Sequence, residues 1–124
     1  VIAVELHPGR ADRLQQRFAD APVTVVRADA RELRLPTRPF RVVSSPPYNV
    51  SAALLKLLLA RGSRMVSADL VLQRQLVNRY VRGDVHGANR WLRSYQPAVG
   101  LRLPRKAFTP PPHVDSAVLV LRRA

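Results

Sequence analysis

Short apolar runs alternate with amphipathic stretches along much of this chain, and the runs end on polar or acidic residues. Val1-Ile2-Ala3-Val4-Glu5 is continuously apolar up to its acid, which predicts a strand buried on both faces with its carboxyl end in solvent. After Pro8 and Gly9, Leu14 and Phe18 recur four apart among Arg13, Gln15, Gln16 and Arg17, which predicts an amphipathic helix from Pro8 to Ala19. Val23 to Val26 is a second, β-branched strand ending near Ala28-Asp29. Phe40 to Val43 is a third, and it stops abruptly at Ser44-Ser45-Pro46-Pro47-Tyr48-Asn49.

Beyond that stop, Ser51 is positioned to cap a helix carrying Leu54, Leu55, Leu57, Leu58 and Leu59. Met65 to Leu72 predicts a fourth strand and Gln73 to Arg82 a further helix, with a loop over Gly83 to Gly87. Trp91 and Tyr95, four apart, suggest a short helix whose aromatics serve the core, and Val99 to Leu103 a strand weakened by Gly100. Pro110-Pro111-Pro112 must be extended, and Ala117 to Leu121 closes the chain as a strand. Strand-helix alternation followed by strands without a crossover helix implies an α/β fold, a mostly parallel sheet finished by an antiparallel C-terminal edge. In such sheets ligands sit beyond the carboxyl ends of the strands. Attention therefore falls on Glu5, Asp29 and Ser45.

Composition narrows the partners. The 124 residues suit one domain and carry 21 Lys and Arg against 8 Asp and Glu, a formal charge of +13. That excess attracts polyanions, nucleic acid first among them. There is no cysteine, which removes disulfides, thiolate metal sites and a cysteine nucleophile; His7, His86 and His113 have no zinc-like spacing. The longest apolar stretches, 52–55 and 57–60, are interrupted by Lys56 and too short for a bilayer, and Val1 to Leu6 lacks the basic start of a signal peptide. The expectation is a cytoplasmic monomer without a metal or a membrane partner.

Three positions carry candidate chemistry. Glu5, at a strand end, can accept two hydrogen bonds from a ribose diol, and Asp29 can accept from an exocyclic amine. Ser45-Pro46-Pro47-Tyr48 is the sharpest signal. Its two prolines fix the backbone so that the preceding side chain and carbonyl point in a set direction, with an aromatic ring beside them. An exocyclic amine is a poor nucleophile because its lone pair is delocalised into the ring. Acceptors on both N–H bonds localise that pair, and a stacked ring holds the base flat.

This loop resembles the Asp/Asn/Ser-Pro-Pro-Tyr/Phe motif of S-adenosylmethionine-dependent amino methyltransferases. The stretch from Leu103 to Val118, with Lys106, Phe108, Pro110, Pro111, Val114 and Ser116, is similar to the carboxyl-side signature of the rRNA adenine N6-methyltransferases. That family includes the erythromycin-resistance methylases of 23S rRNA and the ribosomal dimethyladenosine transferases. The resemblance runs in order through essentially the whole chain. It implies a Rossmann-like methyltransferase fold and makes residues 1–124 a partial catalytic domain, with the first strand-helix unit and its glycine-rich cofactor turn expected before Val1. Cofactor binding by the chain alone is then expected to be weak.

By the same resemblance Glu5 accepts from the cofactor ribose, Asp29 and Ala30 form its adenine site, and Ser45 faces the target amine beside the cofactor. Tyr48 and Phe108 become the two faces around a flipped adenine. Arg105 and Lys106, beside that slot, are candidates for rRNA phosphate contacts by their placement and charge alone. Ser45 stands where the adenine enzymes usually have Asn, and Ser-Pro-Pro-Tyr is also typical of N4-cytosine DNA methylases. The alternatives are therefore an N4-cytosine DNA methyltransferase or a basic RNA-binding remnant with impaired catalysis.

Overall fold

The computed structural model describes all 124 residues, which form two compact units, Val1–Leu35 and Pro36–Ala124. In the first, β1 (Ile2–Val4) and β2 (Thr24–Val26) pair in parallel, Ile2 opposite Thr24, joined by α1 (Pro8–Arg17). Pro8 occupies the first turn of α1, where a missing N–H costs nothing, and His7 Nδ1 accepts from Arg10 N at 3.3 Å. Ala11 is the buried residue of this helix. The expectation that Val1 to Glu5 is buried on both faces is not met. Val1 and Ile2 are 85% and 60% exposed, and Ala3 and Val4 are half-buried, in a sheet of two strands.

The second unit holds a four-stranded sheet in the order β3-β4-β6-β5, with β3 Phe40–Ser44, β4 Met65–Gln73, β5 Tyr95–Leu103 and β6 Ser116–Arg123. β3 and β4 are parallel, linked by α2 (Tyr48–Leu58); β6 runs antiparallel to both β4 and β5. The last strand is therefore interior and β5 forms the edge. This follows from composition: Ala117, Leu119 and Leu121 are all fully buried, whereas β5 exposes Val99 and Leu101. Gly100 lies against the Val118 and Val120 side chains of β6; an added Cβ would sit 2.9 Å from Val120 Cγ2. The strand register shifts there, between Val99 and Arg102.

The core is built from Leu54, Leu55 and Leu58 of α2, Val77 of α3 (Arg74–Val81), Leu70 and Leu72 of β4, and the buried face of β6. Two boundary expectations are corrected. Helix α2 begins at Tyr48, not after Ser51, because the carbonyl of Pro47 already accepts from Val50 N at 2.9 Å and Ser51 N at 3.2 Å. Ser51 is a buried helix residue whose hydroxyl donates to the same carbonyl at 3.2 Å. Trp91 and Tyr95 do not share a helix: Trp91 ends the one-turn α4 (Ala88–Trp91) and Tyr95 starts β5. Both are nonetheless buried core residues. A spacing of four is compatible with either geometry when tertiary burial supplies the driving force. No helix is long and apolar enough to cross a membrane.

Candidate functional site

In the first unit, Glu5 follows β1 directly. Its N–H donates to Val26 O at 3.0 Å, which extends the β1–β2 pairing by one bond, and its side chain is about one-quarter exposed. Oε1 accepts from His7 N at 3.3 Å and lies 3.5 Å from the Arg10 guanidinium. Both contacts fall on that oxygen. Beside it Arg10, Arg13, Leu14 and Arg17 line an open cavity of about 320 Å³.

Asp29 follows β2 at the head of a single 3₁₀ turn, Ala30–Glu32. Its Oδ1 accepts from Arg31 N at 2.9 Å, and Arg31 Nη2 donates to Oδ2 at 2.6 Å, closing a two-pronged clasp. Hydrogen bonds from the Arg31 side chain and backbone lower the Asp29 pKa to about 2, and Asp29 in turn raises that of Arg31. Because the folded pKa lies below the ordinary 3.8, the clasp adds stability above that pH and loses it as pH falls toward 2. An NMR titration of the Asp29 carboxyl carbon should show a midpoint near 2 that rises toward the ordinary range in Arg31→Gln, stopping short of it because the residue-31 backbone N–H remains. An unmoved midpoint would assign the shift to the backbone alone.

In the second unit, the carboxyl ends of β3 and β4 meet the start of β6 and the end of β5, with Gln73 and Leu103 both opposite Ser116. Ser45 follows β3 and is exposed, whereas Pro46 is buried and anchors the turn. Tyr48, the first residue of α2, is 42% exposed, and its hydroxyl meets Ser116 Oγ at 3.3 Å. Ser116 itself is buried. The ring is thus tethered at its tip while part of its surface stays open.

Phe108 ends a second 3₁₀ turn, Arg105–Ala107; it is half-buried and donates from its N–H to Arg105 O at 3.2 Å. Asp115 secures this turn to the sheet. Its Oδ1 accepts from Arg105 N at 2.9 Å, its carbonyl accepts from Arg74 N at 3.0 Å, and its Oδ2 lies 3.8 Å from the Arg74 guanidinium. Arg105 also donates from Nη1 to His113 O at 3.2 Å, so part of its donor capacity is spent within the loop. Lys106 is exposed.

Ser45, Tyr48, Arg105, Lys106 and Phe108 therefore gather at one end of the second unit's sheet, while Glu5, Asp29 and Ala30 occupy strand ends of the first. Sequence reasoning assigned no role to Ser116, Asp115 or Arg74. The available signal was an Asp-Ser pair immediately before a strand of purely apolar residues, where buried polar groups need partners. No group of three or more His, Asp or Glu side chains is placed to hold a metal ion.

The whole chain, residues 1–124, matches the family described as ribosomal RNA adenine dimethylase. The mycinamicin-resistance protein MyrB of Micromonospora griseorubida is 35% identical, the match covering 99% of this chain and 40% of that protein. The ribosomal RNA small subunit methyltransferase A of Ralstonia nicotianae is 34% identical, over 94% of this chain and 44% of its own length. Among solved structures, the 23S rRNA methyltransferase ErmE superposes over 100% of this chain and 52% of its own, with a TM-score of 0.84 and 29% identity. The chain spans about half the length of such relatives.

Proposed function

The chain belongs to the ribosomal RNA adenine dimethylase family, and from that premise we propose that it serves methyl transfer from S-adenosylmethionine to the N6 amine of an adenine in 23S rRNA, as in macrolide resistance. The observation that carries the reading is the tethering of Tyr48 by Ser116 and of the Phe108 turn by Asp115, at the sheet end where Ser45 is exposed. The reading carries with it a cytoplasmic, monomeric protein with rRNA as its partner, and treats residues 1–124 as part of one catalytic domain.

The donor set suits the nucleoside half of the cofactor. Glu5 offers Oε2 to ribose hydroxyls, since its internal contacts fall on Oε1. Asp29 is an anion at every physiological pH, and a carboxylate retains lone pairs for an adenine amine beside its Arg31 clasp. Ala30 supplies backbone at the same turn. When bound, S-adenosylmethionine supplies an electrophilic methyl group on a sulfonium sulfur.

The remaining chemistry belongs to the chain. Ser45 Oγ and the Pro46 carbonyl accept the two N–H bonds of the target amine, localising its lone pair. Tyr48 and Phe108 hold the base by stacking, and Arg105 and Lys106 contact flanking phosphates. A hydroxyl rotates where an amide would be fixed, so Ser45→Asn is expected to raise adenine methylation.

The test is nucleoside analysis of protein-free 23S rRNA after incubation with methyl-labelled S-adenosylmethionine and a protein in which this chain follows the glycine-rich strand-helix unit of an rRNA adenine dimethylase relative. Label in N6-methylated adenosine is expected. Label in N4-methylcytidine, or none above that of heat-denatured protein, would overturn the reading. In calorimetry of that extended protein with S-adenosylhomocysteine, Glu5→Gln is expected to weaken binding about 10-fold or more, since a hydrogen bond to a charged group contributes ~1.5–3 kcal/mol. Unchanged affinity would remove Glu5 from the site.

A further inference from the structure

The positive charge is not shared evenly. The first unit has six Arg against five Asp and Glu, whereas the second has fifteen Lys and Arg against three Asp. Nearly all of the +13 excess therefore lies in residues 36–124. Within that unit a group of arginines collects at the amino ends of β3 and β4, opposite the end that carries Ser45 and Tyr48.

Four neighbouring contacts bring them together. Phe40 N donates to Arg64 O at 3.3 Å, joining the segment after Arg38 to the Arg61–Arg64 turn. Arg123 Nη2 donates to Ser63 O at 2.8 Å and to Tyr95 Oη at 2.8 Å, bridging that turn to the start of β5. Ala124 N donates to Ser94 O at 2.8 Å, which brings Arg93 alongside.

Not every arginine here is available. Arg123 is consumed by Ser63, Met65 and Tyr95, with its guanidinium 4.9 Å above the Tyr95 ring. Arg122 is held by Asp69 at 3.2 Å. Arg38, Arg61, Arg64 and Arg93 are exposed and enter none of the chain's ion pairs. Four uncompensated guanidinium groups on one sheet end repel one another, a cost that a polyanion relieves. The four arginines come from three separate segments, before β3, before β4 and before β5, and so offer several cationic points along the rim rather than one pocket for a single small anion.

We propose that Arg38, Arg61, Arg64 and Arg93 form a second RNA contact that grips the phosphate backbone of structured RNA far from the methylated base. The nine residues of β4 separate the two sheet ends by about 26 Å at ~3.3 Å per residue. A five-nucleotide single strand with its target adenine at the centre extends only two nucleotides either way from the Ser45 end and does not reach this rim; a folded hairpin does. The inference rests on the proposed RNA substrate and adds to it a length requirement.

The experiment is fluorescence anisotropy of the full chain with a labelled rRNA hairpin and with a five-nucleotide single strand, at several salt concentrations. The variant Arg38→Gln/Arg61→Gln/Arg64→Gln/Arg93→Gln is compared with Arg27→Gln/Arg34→Gln/Lys56→Gln/Arg82→Gln, which removes the same charge from exposed positions elsewhere. The first variant is expected to lower the slope of log Kd against log salt by about 3 for the hairpin. It should weaken hairpin binding at least 30-fold at low salt and leave the five-nucleotide strand within 3-fold. Equal losses in the two variants would overturn the proposal, as would polyglutamate binding the unaltered chain as tightly as the hairpin, which would mark the rim as a site for acidic protein. Failure of methylation with the rim effect intact would sink the methyltransferase reading and leave this contact standing.

Discussion

Replacing Leu119 by Ala is expected to cost about 2–5 kcal/mol of stability, a large part of the ~5–15 kcal/mol that a domain possesses. Leu119 is fully buried at the centre of β6, opposite Leu70 of β4 on one side and Val99 of β5 on the other. Truncation removes the packing that ties both antiparallel pairings together. In urea the midpoint should fall with little change in slope, and the far-ultraviolet spectrum of whatever remains folded should be unaltered. Val43→Ser is the control, since Val43 is 86% exposed and the change should stay within about 0.5 kcal/mol. A cost at Leu119 below 1 kcal/mol would mean that β6 is not the central strand of the core.

Tyr48→Ala and Phe108→Ala are each expected to lower capture of the target base by about 5- to 150-fold, the ~1–3 kcal/mol that base stacking on an aromatic side chain contributes. The readout is fluorescence of 2-aminopurine placed at the target position of an rRNA hairpin, which reports stacking whether or not methyl transfer follows. Ser116→Ala should have a smaller effect, about 2- to 10-fold, because it removes only the hydrogen bond that fixes the Tyr48 ring. Tyr48→Phe should match Ser116→Ala and add nothing to it, since both break one interaction. Additive losses would show that Ser116 acts by another route, and an unaffected Tyr48→Ala variant would remove the ring from the base site.

Much of the local structure was legible. Helix α1, the strand at Phe40, the break at Ser45-Pro46-Pro47 and the strand at Met65 follow from apolar periodicity and from proline, both of which act within a few residues. The candidate acceptors were legible for the same reason, because a polar residue at the end of an apolar run is a local pattern. The start of α2 was misread because Ser51 has a capping side chain, while the Pro47 carbonyl that organises the first turn has no signature of its own. Tyr95 was misassigned because its burial, and its hydrogen bond to Met65 O at 2.8 Å, involve a strand thirty residues away.

What the sequence determined by itself is the α/β alternation, the family resemblance and the identity of the candidate site residues, all of which are properties of neighbouring residues or of their order. The tertiary structure alone decided that β6 is interior, that Ser116 and Asp115 brace Tyr48 and the Phe108 turn, and that Arg38, Arg61, Arg64 and Arg93 share one rim. Strand order and charge clustering depend on pairings between segments far apart in the chain, whose loop-closure cost and packing gain no local pattern records.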